Sequence, residues 1–303
     1  MRHKVIALFL GLCMVVTSVA QAGGGAKEAL SVIPGDIMGV IFIPSPKQLD
    51  ADYQSVVNKL GLQMFAPPSL INIVKMQLPA LQGMDDSGVL AVVILPAENF
   101  MELESKQVLM VPTTDAKGMI ETLGGESAEG GVWAVNLMGQ PAFAAPKGKH
   151  LLVARSLEAL KAVADSKTSL ASKMKPSDLK AMENVDVGIW VDGEKVMTML
   201  KPLIDGFLPM LTMGSPPAAA EMNKKYGEML VNGLKSLSIG ILLDDDGLGL
   251  RFSMTSRVVT SRPRNVTSTT DLKSPGCWKS PSTFKGTTSV RPEERGVSVI
   301  RIT

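Results

Sequence analysis

The chain has 303 residues, of which 45% are apolar and 20% are charged, and its formal net charge is +2. That charge is unevenly distributed: residues 257–303 carry nine Lys/Arg against three acids and residues 1–22 carry two Lys/Arg and no acid, which leaves 23–256 at −6. Because an acidic body repels the phosphate backbone, this distribution excludes nucleic acid as a partner of the folded part.

The first 22 residues have the three-part pattern of a secretory signal peptide. Residues 2–4 are basic, 5–16 form an apolar run, and Ala20-Gln21-Ala22 is the small-x-small pattern that a signal peptidase cleaves. The apolar run is too short to span a bilayer, which takes roughly 20 residues. We therefore expect cleavage after Ala22, a periplasmic or extracellular location, and no transmembrane segment in the mature chain.

The first block of the mature chain predicts a strand, two helices and two strands. Residues 37–43 form a continuous apolar run of strand length. Residues 48–60 carry apolar side chains at spacings of three and four, which is typical of a helix, and Ser69 can cap a second helix that ends before Pro79. Two buried strands are expected at 89–95 and 107–111.

The remaining elements follow from the same patterns. A middle block, 113–166, predicts a helix capped by Thr114, three strands and a helix capped by Ser156. A third block, 185–254, predicts a strand, two helices and a hairpin of two strands. The predicted strands are 132–137, 142–145, 151–154, 185–191, 237–243 and 248–254, and the predicted helices of the third block are about 194–212 and 218–233.

Together these elements predict the α+β class, with mostly antiparallel sheets and helices packed on one face. The first and third blocks have the same element order. An offset of 149 residues places 39–42 on 188–191 and 92–94 on 241–243. This suggests an internal duplication of 37–112 and 185–254 within a 23–256 domain; the alternative is chance agreement of two apolar runs.

The segment 257–303 differs abruptly from the body. Apolar periodicity ends and Ser, Thr, Arg and Pro dominate, so the segment lacks the apolar surface that offsets chain entropy, and disorder is expected. Two origins are open: a functional basic tail that contacts an acidic polymer or anionic lipid, or a shifted reading frame near residue 255. The second is favoured because the tail has neither a repeat nor a charge block.

Residues for common catalytic and metal chemistry are scarce. His150 is the only histidine after residue 22, which excludes catalytic systems with two histidines and HExxH zinc sites; we interpret it as a solvated turn residue. Asp244-Asp245-Asp246-Gly247 is interpreted as a hairpin turn, because the downstream glutamate of a calcium loop is missing. No cofactor, metal or catalytic residue is predicted.

Two short patterns leave a catalytic alternative open. Ser172 with Lys175 and Ser177 with Lys180 both fit Ser-x-x-Lys, in which the lysine deprotonates a serine nucleophile. Ser177 also follows Pro176 where a helix cap belongs, so an ordinary structural role competes with a periplasmic hydrolase.

The most apolar candidate surface is the methionine-rich segment 197–213. Flexible thioether side chains accept varied apolar ligands, although core filling explains most methionines. If an apolar ligand binds, its expected contacts are Met197, Leu200, Phe207, Met210 and Met213.

The chain resembles a family of exported bacterial proteins of unknown function. The resemblance lies in the leader, in Ile33-Pro34-Gly35-Asp36 followed by GVIFIPS, in the stretch 132–156 and in VGIWVDGEKV at 187–196. It spans roughly 30–256 and implies no catalytic residue. The preferred hypothesis is a non-catalytic binding or structural module of the cell envelope, with an unknown envelope protein or an apolar ligand as its partner. The alternatives are the Ser-Lys hydrolase and a carrier of an apolar ligand.

Overall fold

The computed structural model describes residues 25–212, 233–244, 247–256, 291–293 and 297–302. Its helices are α1 (Gly25–Val32), α2 (Pro46–Lys59), α3 (Leu70–Gln77), α4 (Ala116–Thr122), α5 (Leu157–Ala164), α6 (Leu170–Lys173), α7 (Pro176–Ala181) and α8 (Gly193–Thr212). Its strands are β1 (Gly39–Ile43), β2 (Leu90–Ile94), β3 (Gln107–Pro112), β4 (Glu126–Ser127), β5 (Trp133–Leu137), β6 (Gln140–Lys147), β7 (His150–Ala154), β8 (Val187–Asp192), β9 (Leu234–Asp244), β10 (Gly247–Ser256), β11 (Arg291–Glu293) and β12 (Val297–Ile302).

The described strands form one antiparallel sheet in the order β11-β12-β10-β9-β8-β1-β2-β3-β7-β6-β5-β4. The predicted α+β class and the antiparallel pairing are therefore confirmed. Each strand that the sequence predicted between residues 37 and 254 is present, and the hairpin between β9 and β10 pairs Asp244 with Gly247 as the turn prediction requires. The predicted helix 218–233 lies outside the described residues except at Gly233.

Helices cover both faces of the sheet, so the prediction of helices on one face is wrong. On β1, Phe42 packs in a core with Leu30 of α1 and Leu160 of α5, whereas Ile43 packs in a second core with Leu49 of α2. Neighbouring residues of a strand point to opposite faces, so a continuous apolar run such as 37–43 needs apolar cover on both sides. We call these faces the α1 face and the α2 face.

The helix starts follow capping chemistry. The side chains of Ser69 and Ser156 accept hydrogen bonds from the N–H groups three residues later, as predicted. The cap of α4 is Asp115 rather than Thr114, because the carboxylate of Asp115 accepts from Gly118 N at 2.9 Å. Helix α1 was not predicted, although its buried residues Ala26, Ala29 and Leu30 have helical spacing.

The strand order is symmetric about the central β1–β8 pair: β2 and β3 follow β1 on one side, and β9 and β10 follow β8 on the other. This is the order that an internal duplication requires. The register corrects the offset of 149. Ile41 pairs with Ile189, and Val40 pairs with Trp190. A twofold axis through the Ile41–Ile189 pair therefore relates Phe42 to Trp190, which is an offset of 148 residues. With this offset both aromatic rings lie on the α1 face. An offset of 149 would exchange the two faces.

Two stretches of the segment 257–303 are strands, which differs from the disorder that the sequence predicted there. β12 pairs with β10 along six residues, from Leu248–Ile302 to Ser253–Val297, and β11 pairs with β12. β12 contains Val297, Val299, Ile300 and Ile302, enough β-branched residues to extend a sheet. The rest of the segment and the leader lie outside the described residues.

Candidate functional site

A cleft of about 520 Å³ opens at one end of the sheet, where β1, β3 and β6 end and β2 and β7 begin. Its walls come from the β6–β7 turn, from the turn before β2, from α1 and from the loop 166–169. The lining includes three lysines (Lys147, Lys149 and Lys167), two acids (Glu28 and Asp85) and His150. The cleft therefore carries both signs of charge.

His150 lies in the wall of this cleft and is only 8% exposed, so its interpretation as a solvated turn residue is wrong. It begins β7 opposite Pro112, and its Nε2 lies 3.1 Å from the carbonyl oxygen of Val89. A carbonyl accepts hydrogen bonds, which assigns the proton of the neutral ring to Nε2 and leaves Nδ1 as an acceptor. The signal for burial in the sequence was the two-residue period of the strand: His150 lies two residues before the buried Leu152 and so shares its face of β7.

Burial lowers the pKa of His150 below its ordinary value of 6.5, and the hydrogen bond to Val89 offsets part of that effect. We expect the free energy of unfolding to fall as the pH is lowered through 6.5, because unfolded His150 takes up its proton at a higher pH than buried His150 does. His150→Gln, which keeps a donor for Val89, should lose this dependence. Urea unfolding at several pH values measures it.

The two carboxylates with lowered pKa values, Asp85 and Asp36, do not interfere in that range. The hydrogen bonds from Ser87 hold the pKa of Asp85 below 3.8, and the hydrogen bond and charge of Lys195 do the same for Asp36. The stability that these carboxylates contribute is present above their unfolded pKa and is lost only at lower pH. An unchanged pH dependence in His150→Gln would contradict the assignment.

Lys147 has a structural role in the cleft. Its Nζ donates to the carbonyl oxygens of Val163 and, at 3.2 Å, Ser166, so it caps the C-terminal end of α5. A cation is favoured there because the last carbonyls of a helix carry partial negative charge. Desolvation lowers the pKa of Lys147, which the charge of Asp165 partly opposes. Lys149 and Lys167 are the exposed cations of the rim.

Three serine hydroxyls of the cleft donate hydrogen bonds to neighbouring groups. Ser31 donates to Glu28 O at 2.6 Å, Ser87 donates to the carboxylate of Asp85 at 2.6 Å, and Ser166 donates to Thr168 O at 3.2 Å. Within the described lining, no hydroxyl is hydrogen-bonded to His150 or to a lysine Nζ. The arrangement can hold a ligand by charge and hydrogen bonds.

The apolar ligand residues predicted on 197–213 are not gathered into a described site. Met197 and Leu200 are half-buried on α8, and Met199 between them is buried. Phe207 and Met210 lie on the same helix, but their side chains, like Met213 as a whole, lie outside the described residues. α8 runs unbroken through Pro202, Gly206 and Pro209.

Ser172 lies on α6, Ser177 and Lys180 lie on α7, and none of the four Ser-x-x-Lys residues is part of the cleft lining. Ser172 is exposed, and its hydroxyl donates to Ser169 O at 2.6 Å. Lys175 and Lys180 are both exposed, and Lys175 rather than Ser177 is the N-cap residue of α7. The described contacts join neither serine to its lysine.

Among the described residues, no three or more His, Cys, Asp or Glu side chains come together as a metal site would require. None of the described helices combines the length and the apolar content that crossing a bilayer takes.

No known family model matches the sequence, and no curated protein matches it. The solved structures that it resembles include three crystal forms of TP0453. Crystal form I has a TM-score of 0.38 and 8% identity over 90% of this chain and 91% of that chain. Form III has a TM-score of 0.37 and 8% identity, and form IV has 0.35 and 9% over 76% of this chain and 83% of that one. At these scores nothing about function follows from the likeness.

Proposed function

We propose that this protein is exported to the cell envelope and acts there as a non-catalytic binding module that holds a small charged ligand in the end cleft. The observation that carries the proposal is the cleft itself, with His150 buried in its wall and Lys149 and Lys167 on its rim. The three-part pattern of residues 1–22 supports export.

The mixed charges of the cleft favour a ligand that carries both signs. Lys149 and Lys167 attract an anionic group, whereas Asp85 and Glu28 attract a cationic one. Nδ1 of His150 adds a hydrogen-bond acceptor at the wall. Convergent polar groups in a concave site are what ligand recognition uses.

The test begins with the protein isolated from the envelope fraction of its host. N-terminal sequencing is expected to start at Gly23, and native mass spectrometry is expected to show an adduct of a few hundred daltons at most. Acetate and the zwitterionic dipeptide Gly-Gly then serve as probes in calorimetric titrations. We expect saturable binding of Gly-Gly that Lys149→Ala/Lys167→Ala weakens about tenfold, the loss of two charge-assisted contacts at a solvated rim.

The matched control is Lys117→Ala, which removes an exposed lysine on α4 outside the cleft and should leave binding unchanged. A chain that starts at Met1 in the cytosol would overturn export. The cleft proposal fails if neither probe binds and no adduct is found. It also fails if the control Lys117→Ala weakens binding as much as Lys149→Ala/Lys167→Ala does.

A further inference from the structure

The loop between α2 and α3 forms an exposed apolar tip, which we define as residues 60–68. Met64 is 92% exposed, Phe65 is 86% exposed and Leu60 is 63% exposed. No charged residue occurs between Lys59 and Lys75. Large apolar side chains seldom cluster in this way on a free surface without a role in binding.

The tip is a folded structure with its side chains directed outward. Leu62 N donates to Val57 O at 2.9 Å, and Phe65 N and Ala66 N donate to Leu62 O at 2.9 and 2.8 Å. Gly61 has a φ of +65°, the left-handed conformation that ends α2. Because the backbone is hydrogen-bonded, the exposure of Met64 and Phe65 does not come from a lack of local structure.

The second half of the chain repeats this pattern in its sequence. Leu62-x-Met64-x-x-Pro67-Pro68 corresponds to Leu211-x-Met213-x-x-Pro216-Pro217 at an offset of 149, and Lys75 corresponds to Lys224. These are the two Pro-Pro pairs of the chain, and the charge-free run around the second one, 206–220, also has fifteen residues. The offset differs by one from that of β1 and β8, which corresponds to one inserted residue between that strand and this segment. The second copy lies outside the described residues from Met213 onward, so the correspondence is one of sequence.

We propose that the tip 60–68 inserts its apolar side chains into the interfacial region of a lipid bilayer. A protruding loop fits a bilayer, which yields to any convex shape, whereas a protein partner would need a matching groove. None of the nine tip residues is charged, which fits the low polarity at that depth.

Vesicle flotation of the full chain, in the form isolated from its host, tests the proposal. Vesicles of phosphatidylcholine alone and of phosphatidylcholine with phosphatidylglycerol are compared. We expect binding to both, retained at about 0.5 M salt because transfer of apolar surface drives it. Met64→Gln/Phe65→Gln should lower the partition coefficient at least tenfold, since two large side chains lose their favourable transfer.

The matched control is Met101→Gln, because Met101 is 89% exposed but lies outside the tip. It should bind vesicles as the wild type does, and both variants should keep the thermal midpoint because they replace exposed side chains. Equal binding of the tip variant and the wild type would refute the proposal, as would binding that salt abolishes. If the wild type binds neither kind of vesicle, a lipid bilayer is not the partner of the tip and the proposal fails.

Discussion

Gly188→Ala is expected to lower the free energy of unfolding by about 3 kcal/mol, because a side chain at this position has no room. Gly188 pairs with Phe42 across the two central strands, and a Cβ there would overlap the Phe42 ring. Phe42 is fully buried, so its ring has no free space to move into. Urea unfolding of wild type and variant measures the loss.

A double-mutant cycle with Phe42→Leu identifies the cause. If the ring is what the new methyl meets, the loss caused by Gly188→Ala should shrink by at least about 1 kcal/mol in the Phe42→Leu background. The matched control is Gly206→Ala on α8, where a Cβ meets none of the described atoms within 4 Å. There alanine should raise stability by about 0.5–1 kcal/mol through helix propensity. Additive losses at positions 188 and 42 would contradict the packing argument.

Asp178→Ala is the second large effect, with an expected loss of about 3 kcal/mol. The Asp178 side chain on α7 is 1% exposed and accepts hydrogen bonds from Ser236 Oγ on β9 at 2.8 Å and from Ser253 Oγ on β10 at 2.9 Å. Removing the carboxylate leaves two buried hydroxyls without their acceptor and opens a cavity. Thermal or urea unfolding reports the change, and hydrogen exchange should show faster opening of α7.

Ser238→Ala is the matched control for this network. Ser238 is fully buried on the same face of β9 as Ser236, and its hydroxyl has no partner among the described contacts. Deleting it should cost nothing or stabilise slightly, since a buried unpaired hydroxyl carries an uncompensated desolvation cost. The triple change Asp178→Ala/Ser236→Ala/Ser253→Ala should recover part of the loss. If Asp178→Ala loses no more stability than Ser238→Ala does, the hydrogen bonds of Asp178 contribute little.

Local patterns in the sequence predicted most of the sheet. The apolar runs at 37–43 and 89–95 and the turn at 244–247 are short-range signals, and each fixes a strand or a hairpin through its own residues. The helix caps at Ser69 and Ser156 depend on contacts three residues away and were predicted for the same reason.

The candidate sites depend on long-range contacts that no local pattern contains. His150 was assigned to solvent because its neighbours 147–149 are turn residues, yet packing against β3 and the bond to Val89, 61 residues earlier, bury it. The exposure of Met64 was equally hidden, because composition does not distinguish a core methionine from one on a protruding tip.

The sequence by itself determined the class, the antiparallel strands and the order of elements that a duplication implies, because period and capping act within a few residues. Only the tertiary structure decided that helices cover both faces, that β1 and β8 meet at the centre with Phe42 on Gly188, and which polar groups converge at the end cleft. The physical reason is that these features are set by which distant strands pair, and pairing is a property of the whole sheet.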